Sequence, residues 1–165
     1  MKSTSNVYKK NTILQMSKIS ILSFTLFFVL LSCNKSDDEP SSSFTPQNIP
    51  FTLIGNGPDS GNAVTSNLVI QNNTQWNNLM NQMTPNVTNQ FTETNIDFNN
   101  YFLIAVIDLV RPNTGYSVSI TNIIENENDI IVNVNNNNSG SGYNVLTQPF
   151  HIVKIPRQTK PFVFQ

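Results

Sequence analysis

The fold is decided by the stretch I-D-F-N-N-Y-F-L-I-A-V-I-D-L-V-R-P-N-T-G-Y-S-V-S-I, residues 96–120. Within it, residues 101–110 are a nearly unbroken apolar, β-branched and aromatic run, interrupted only by Asp108. Such a run predicts a central strand buried on both faces. The following R-P-N-T-G predicts a turn, because Pro112 fixes φ and Gly115 accepts a positive φ that other residues resist. Residues 116–120 then alternate, so we expect a β-hairpin with an exposed loop at residues 112–116.

The flanking sequence predicts more strands and one helix. Trp76, Leu79, Met80 and Met83 recur at i, i+3, i+4 and i+7. This spacing indicates a helix whose buried face holds Trp76 as a core anchor, with Asn73 as the N-cap; a ligand-stacking role for Trp76 is the alternative. Further strands are predicted at residues 51–54, 63–70, 130–134, 149–155 and 162–164. The expected fold class is α+β, mainly β: an antiparallel sheet or sandwich of six or seven strands with one short amphipathic helix.

Residues 1–32 predict a secretory signal peptide. Four lysines precede an apolar stretch at residues 19–31, and a small residue, Ser32, follows it. The stretch falls short of the roughly 20 apolar residues that a transmembrane helix needs. Met16 is an alternative initiator to Met1, because a leader that begins there has a more ordinary length.

The end of the leader, L-L-S-C at residues 30–33, resembles a bacterial lipobox. That resemblance implies cleavage before Cys33 and acylation of its sulfur and new amino group. Cys33 is the only cysteine, so a disulfide within the chain is impossible. A structural free cysteine is the alternative, but the position directly after the apolar stretch favours lipidation. We therefore expect a lipoprotein tethered to the membrane through Cys33.

Residues 33–50 predict the lipidated cysteine and a flexible stalk, because residues 34–43 carry charge, Ser and Pro without a core-forming side chain. Lys35 followed by three acids resembles a surface-export signal of some Gram-negative lineages; a generic solvated linker is the alternative. All ten acids, but only five of the nine basic residues, follow the leader. This acidic balance argues against a nucleic-acid partner. Residues 51–165 have the length of a single domain.

No enzyme is predicted. His151 is the sole histidine and lies in an alternating segment, which indicates a solvent-facing or half-buried strand residue. A catalytic triad needs a nucleophile beside such a histidine, and Cys33 is on the stalk. Asp97 and Asp108 are a conceivable carboxylate pair, but no spacing brings them together. No metal-ligand pattern or phosphate-binding glycine loop is present, so no cofactor or metal is expected.

The order of motifs resembles the PrcB family. The similarity covers nearly the whole domain. It is carried by Trp76 on a short helix, I-D-F at residues 96–98, the long apolar strand, R-P-N-T-G-Y at residues 111–116, T-Q-P-F at residues 147–150 and a terminal F-V-F. The founding type is a lipoprotein accessory subunit of a surface protease complex. The resemblance therefore implies a small extracytoplasmic domain that binds or stabilises a protein partner without catalysis.

A second resemblance is to the chagasin-type cysteine-peptidase inhibitors. Those inhibitors bind through three loops, and three segments of this chain follow in the same order: P-N-T-G-Y at residues 112–116, the glycine-bearing loop at residues 139–143 and K-P-F at residues 160–162. Asn113 and Lys160 depart from the inhibitor pattern. This alternative implies a β-sandwich that plugs a protease cleft with the loops at residues 111–116, 139–143 and 157–162.

These patterns together predict an outer-membrane lipoprotein on the cell surface or the periplasmic face. Its partners are the membrane, through acylated Cys33, and a protein, with a surface protease as one possibility. Tyr116 is either a rim aromatic that packs on the hairpin or a partner contact. The expected partner-binding loop residues are Arg111, Pro112, Asn113, Thr114, Gly115, Tyr116, Gly140, Gly142 and Tyr143.

Overall fold

A computed structural model describes residues 43–137, 139–140 and 142–165. The predicted leader at residues 1–32, the lipidation site Cys33 and the first part of the predicted stalk lie outside the described residues. The elements in chain order are β1 (Gln47–Asn48), β2 (Thr52–Gly57), β3 (Ser66–Ile70), α1 (Asn73–Gln82), α2 (Pro85–Thr88), β4 (Tyr101–Ile107), β5 (Ser117–Glu125), β6 (Ile130–Asn137), β7 (Phe150–Pro156) and β8 (Phe162–Phe164).

The described strands form two four-stranded sheets that pack face to face. The helix-side sheet has the order β2-β7-β4-β3, and the second sheet has the order β1-β5-β6-β8. All pairings are antiparallel except β6 with β8, which is parallel. The predicted class, a mainly β sandwich with little helix, is confirmed. The eighth strand is β1, which the sequence pattern does not reveal because it is two residues long.

Strand β4 is buried on both faces, as its composition predicts. Leu103, Ala105 and Ile107 pack with the helix, whereas Phe102, Ile104 and Val106 pack between the two sheets. The strand therefore belongs to two core clusters at once, and an alternating pattern is absent because neither face meets water.

Helix α1 covers the outer face of the helix-side sheet. Trp76 and Leu79 are its buried residues, as the spacing predicts. The N-cap is Asn72 rather than the predicted Asn73, since the Asn72 side chain accepts a hydrogen bond of 2.9 Å from the backbone N–H of Gln75. Pro85 ends the apolar periodicity as expected and begins the short helix α2. Within the described residues, no helix is long and apolar enough to cross a membrane.

The predicted β-hairpin of residues 101–120 is wrong. Strand β4 pairs with β3 and β7, while β5 pairs with β1 and β6 in the other sheet. Both edges of β4 are occupied, so the chain must leave its sheet after Ile107 and cross the sandwich before β5 begins. Residues 108–116 are this crossing rather than a hairpin loop. The true hairpin joins β5 to β6 through the predicted polar turn near Asn126 and Asp129.

The domain begins earlier than the predicted boundary at residue 51. Gln47 and Asn48 pair with Glu125 and Ile124, and the side chain of Ile49 is buried in the core between the sheets. Residues 47–50 therefore belong to the fold and not to the predicted stalk, because a single buried isoleucine and two ladder positions tie them to β5.

Candidate functional site

Two of the three loops predicted to form a binding surface lie at one end of the sandwich. Strand β4 pairs with β7 so that Ile107 lies opposite Phe150 at one end and Tyr101 lies opposite Pro156 at the other. Residues 111–116 and the described residues of the second loop, 139–140 and 142–143, belong to the first end. The loop at residues 157–162 belongs to the second, where Lys160 Nζ donates to the carbonyl of Asn126 (2.6 Å). The three-loop wedge expected from the inhibitor resemblance is therefore not formed.

An ion pair shapes the crossing loop at the first end. Arg111 Nε and Nη2 donate to the two carboxylate oxygens of Asp108 at 2.8 and 2.9 Å. The guanidinium also lies 4.9 Å from the centre of the Tyr116 ring. The hydrogen bond to Asp108 raises the pKa of Arg111 above its ordinary value. This bidentate ion pair neutralises both charges and fixes the Arg111 side chain. The loop therefore presents no uncompensated charge from Asp108 or Arg111.

Glycines allow the two loops to pack closely. Gly115 has a φ of 98°, which confirms the predicted need for a positive φ. A Cβ on Gly140 would lie 2.2 Å from the Tyr116 ring, and a Cβ on Gly142 would lie 2.0 Å from Thr114 Oγ1. Tyr116 is half-buried between Arg111 and Gly140, which favours its interpretation as a packing residue over that as a partner contact.

Backbone hydrogen bonds join the loops into one unit. Thr114 and Tyr143 form two contacts of 3.0 Å, from the Thr114 N–H to the Tyr143 carbonyl and from the Tyr143 N–H to Thr114 Oγ1. Arg111 and Thr147 exchange backbone hydrogen bonds of 2.7 and 3.0 Å. The Thr147 hydroxyl also donates to the carbonyl of Asn113. The predicted residues of both loops are therefore together in one frame, with Pro112 and Gly115 exposed on it.

Large apolar side chains are exposed on and beside this frame. Thr147 is buried, and the neighbouring residues Val110 and Leu146 project outward, as alternate positions of paired extended segments do. We define the apolar loop patch as five side chains that are 55% to 84% exposed: Leu109, Val110, Tyr143, Val145 and Leu146. Apolar patches on a soluble domain commonly mark interaction sites.

The sequence prediction missed four of the five patch residues. Leu109 and Val110 continue the apolar run of residues 101–107, so the sequence predicts that they lie in the buried strand. Strand β4 ends at Ile107, where Asp108 turns the chain out of the sheet and its carboxylate engages Arg111. Val145 and Leu146 received no assignment. The sequence did contain a signal for the patch. The apolar pairs at residues 109–110 and 145–146 each lie beside a loop that is rich in turn-forming residues.

Charged residues are concentrated away from the patch, in the opposite half of the described domain. Lys154 contacts Glu93, and Lys160 contacts Glu125 at 2.8 Å. The described chain also begins in that half, since Gln47 pairs with Glu125 and the Phe44 ring lies 4.3 Å from Lys160 Nζ. The described residues therefore begin at the end of the domain opposite the apolar loop patch.

His151 has a structural environment between the sheets. Its side chain is buried, contrary to the prediction of a solvent-facing or half-buried residue. Its Nδ1 accepts a hydrogen bond of 3.1 Å from the backbone N–H of Ile120, so it links β7 of one sheet to β5 of the other. Burial lowers the pKa of His151 below its ordinary value of 6.5. Among the described residues, no three His, Cys, Asp or Glu side chains are grouped so as to hold a metal ion.

We expect His151 to make the stability of the domain dependent on pH. Because the pKa is lower in the folded chain than in the unfolded chain, the unfolded chain binds a proton first as the pH falls below 6.5. The stabilisation is complete above that pH and is lost as the pH falls toward the folded pKa. Urea denaturation at pH about 7.5 and about 5.5 measures the difference, in a range above the titration of most carboxylates. His151→Gln keeps a neutral acceptor and should show a smaller loss; equal losses in the two proteins would contradict this role.

No protein-family model, no curated protein and no solved structure matches this chain.

Proposed function

We propose that this chain is a membrane-anchored extracytoplasmic lipoprotein that binds a protein partner without catalysis. The observation that carries the proposal is the apolar loop patch, held on a frame of hydrogen-bonded loops at one end of the sandwich. Leaving five large apolar side chains in water brings no advantage to the isolated domain, whereas covering them with a partner removes apolar surface from water.

The partner that fits this surface is a protein with an apolar contact region. The charged groups Asp108 and Arg111 neutralise each other beside the patch, so the patch does not select strongly for a charged partner. Exposed tyrosine is a side chain that often contributes much of the binding energy at protein interfaces, and Tyr143 is the most exposed member of the patch.

The partner class follows from the resemblance to the PrcB family, which makes a surface protease complex the first partner to test. An accessory role is supported by the position of the patch at the end opposite the first described residues. The inhibitor alternative receives less support, because residues 157–162 lie at the other end. The buried position of His151 supports a non-catalytic module, since it is not exposed to a substrate.

Chemical crosslinking of intact cells followed by purification of this protein tests the proposal. We expect one or a few extracytoplasmic proteins to be captured, with a protease among them if the accessory role holds. An unrelated lipoprotein with the same anchor serves as the control for proximity at the membrane. Capture that is indistinguishable between the two lipoproteins would contradict the proposal.

Cys33→Ser tests the proposed anchor. Without the thiol the chain is not acylated, and we expect the protein to move from the membrane fraction to the soluble fraction. Two or more acyl chains give stable anchoring, whereas one gives only marginal binding of about 10⁴ M⁻¹. Fractionation with detection by antibody measures the change. A variant that still sediments fully with membranes would rule out Cys33 as the anchor.

A further inference from the structure

A cleft lies on the helix-covered face of the domain, and none of the five residues of the apolar loop patch lines it. It is bounded on one side by β2 and on the other by α2 and the segment that follows it, and its volume is about 560 Å³. This is within the range of roughly 300–1,000 Å³ that small-molecule sites occupy. Its lining includes the side chains of Asp59, Asn86, Gln90 and Phe91.

Two glycines of β2 let aromatic rings form the floor of the cleft. Gly55 and Gly57 pair with Ile152 and Phe150 and therefore lie on the same face of the sheet. A Cβ on Gly55 would lie 2.5 Å from the Phe91 ring, and one on Gly57 would lie 3.1 Å from the Phe150 ring. Any larger residue at position 55 would displace Phe91 from its place against the strand.

The ring of Phe91 packs against two aromatic residues of the core. Its ring stacks on Trp76 with 5.6 Å between ring centres, and it meets Phe150 edge-on at 6.3 Å. Because Phe91 itself is only half-buried, part of the ring is available to a ligand while the rest is fixed by its neighbours. The floor is therefore a rigid aromatic surface rather than a mobile side chain.

The polar groups of the cleft are mostly uncharged. The side chain of Asn86 makes no hydrogen bond to another described residue, and Asp59 uses one carboxylate oxygen to accept from the backbone N–H of Gly61 (3.0 Å). Asn56 lines the cleft with its backbone, because it pairs with His151 and its side chain lies on the other face of β2 from Gly55 and Gly57. Gln90 is occupied by the carbonyl of Asn86. The cleft is lined by no Lys, Arg or His among the described residues, so a phosphate or carboxylate ligand would have no cation to meet.

An extended peptide does not fit this cleft well, because part of the free edge of β2 is already covered. The backbone N–H of Thr92 donates to the carbonyl of Ile54 at 2.9 Å, and the Thr92 hydroxyl donates to the carbonyl of Leu53 at 2.8 Å. A peptide that adds to a sheet edge needs a run of open backbone groups, and these contacts occupy the first half of β2.

We propose that the cleft binds a neutral carbohydrate. A sugar ring has an apolar C–H face, which an aromatic ring accommodates, and a circle of hydroxyl groups. The Asn86 amide supplies both donors and an acceptor, and the amide oxygen of Gln90 and the second oxygen of Asp59 supply further acceptors. This combination of one aromatic face with neutral hydrogen-bonding groups matches the two surfaces of the sugar.

The single tryptophan reports on the site. Trp76 is the only tryptophan of the chain and stacks directly on Phe91, so a ligand that rests on Phe91 alters its emission. The full chain carrying Cys33→Ser is titrated with maltose, cellobiose, N,N′-diacetylchitobiose and mannobiose. Acetyl-tetra-alanine amide and glucose 6-phosphate are the peptide and anionic comparisons. NMR of the same samples locates the affected backbone amides.

We expect at least one disaccharide to give a saturable change in emission at about 1 mM or below, with NMR shifts confined to residues 53–59 and 84–92. Asn86→Ala should weaken that binding several-fold without changing the thermal melt. Asn78→Ala, an exposed amide on α1 outside the cleft, is the matched control and should bind normally. Absence of any effect from all four disaccharides, equal binding by Asn86→Ala and Asn78→Ala, or binding only of the peptide or the phosphate would each overturn the proposal.

Discussion

Trp76→Ala is expected to lower the free energy of unfolding by roughly 3–5 kcal/mol, as truncation of a buried aromatic residue does. Trp76 is 1% exposed, and its ring packs between α1 and the helix-side sheet. Its indole N–H also donates to the carbonyl of Thr94 at 2.9 Å, so the substitution leaves that acceptor without its partner. A domain of this size has a total stability of only about 5–15 kcal/mol, so the variant should be close to unfolding.

Urea denaturation followed by circular dichroism measures this loss, because the substitution removes the fluorescent reporter. Asn78→Ala on the exposed face of the same helix is the control, and we expect a change within about 0.5 kcal/mol. A loss below about 1 kcal/mol for Trp76→Ala would mean that α1 is not docked through this side chain.

Val110→Asp combined with Leu146→Asp is expected to weaken capture of the partner by at least about 30-fold, equivalent to roughly 2 kcal/mol or more. Both side chains lie on the outer surface of the apolar loop patch. An aspartate there must lose its hydration when a partner covers the patch, and nothing in an apolar contact replaces the lost water.

The folded domain should tolerate these two changes, because neither side chain is part of the core. We expect the melting curve of the double variant to match the wild type within about 0.5–1 kcal/mol. Val163→Asp, an exposed apolar position on β8 outside the patch, controls for the added charge and should leave capture unchanged. If the double variant captured the partner normally, the apolar loop patch would not be the binding surface.

The sequence predicted best those features that depend on neighbouring residues. The apolar run of residues 101–107 predicts a strand buried on both faces, and β4 has that burial because the helix covers one face and the second sheet covers the other. The i, i+3 and i+4 spacing of Trp76, Leu79 and Met80 predicts the buried helix face in the same local way. The positive φ of Gly115 follows from turn chemistry alone.

The pairing of strands was not predictable from such signals. A hairpin between residues 101–110 and 116–120 satisfies every local preference, but it needs a free edge on β4. One edge of β4 is paired with β3 and the other with β7, and both of these strands are distant from β4 in sequence. For the same reason the sequence does not reveal that the loop at residues 157–162 lies opposite the other two, because its position depends on the direction of β7 in the sheet.

The sequence predicts the two loops of the candidate site but not its exposed apolar side chains. The glycines and turn residues at residues 111–116 and 140–143 indicate loops, and the structure brings these loops together. Leu109 and Val110 have the same composition whether they end a buried strand or flank an exposed loop. Only the end of β4 at Ile107 decides between the two, and that end is set by pairing with Phe150 of β7.

The most direct test of the binding account is photo-crosslinking from a single position in living cells. A benzoyl-phenylalanine placed at Tyr143 retains an aromatic side chain within the patch, and the same group placed at Glu127 lies near the turn between β5 and β6 at the opposite end. If the apolar loop patch binds the partner, position 143 gives a crosslinked protein adduct and position 127 does not. An adduct from position 127 alone, or adducts of equal yield from both, would contradict the account.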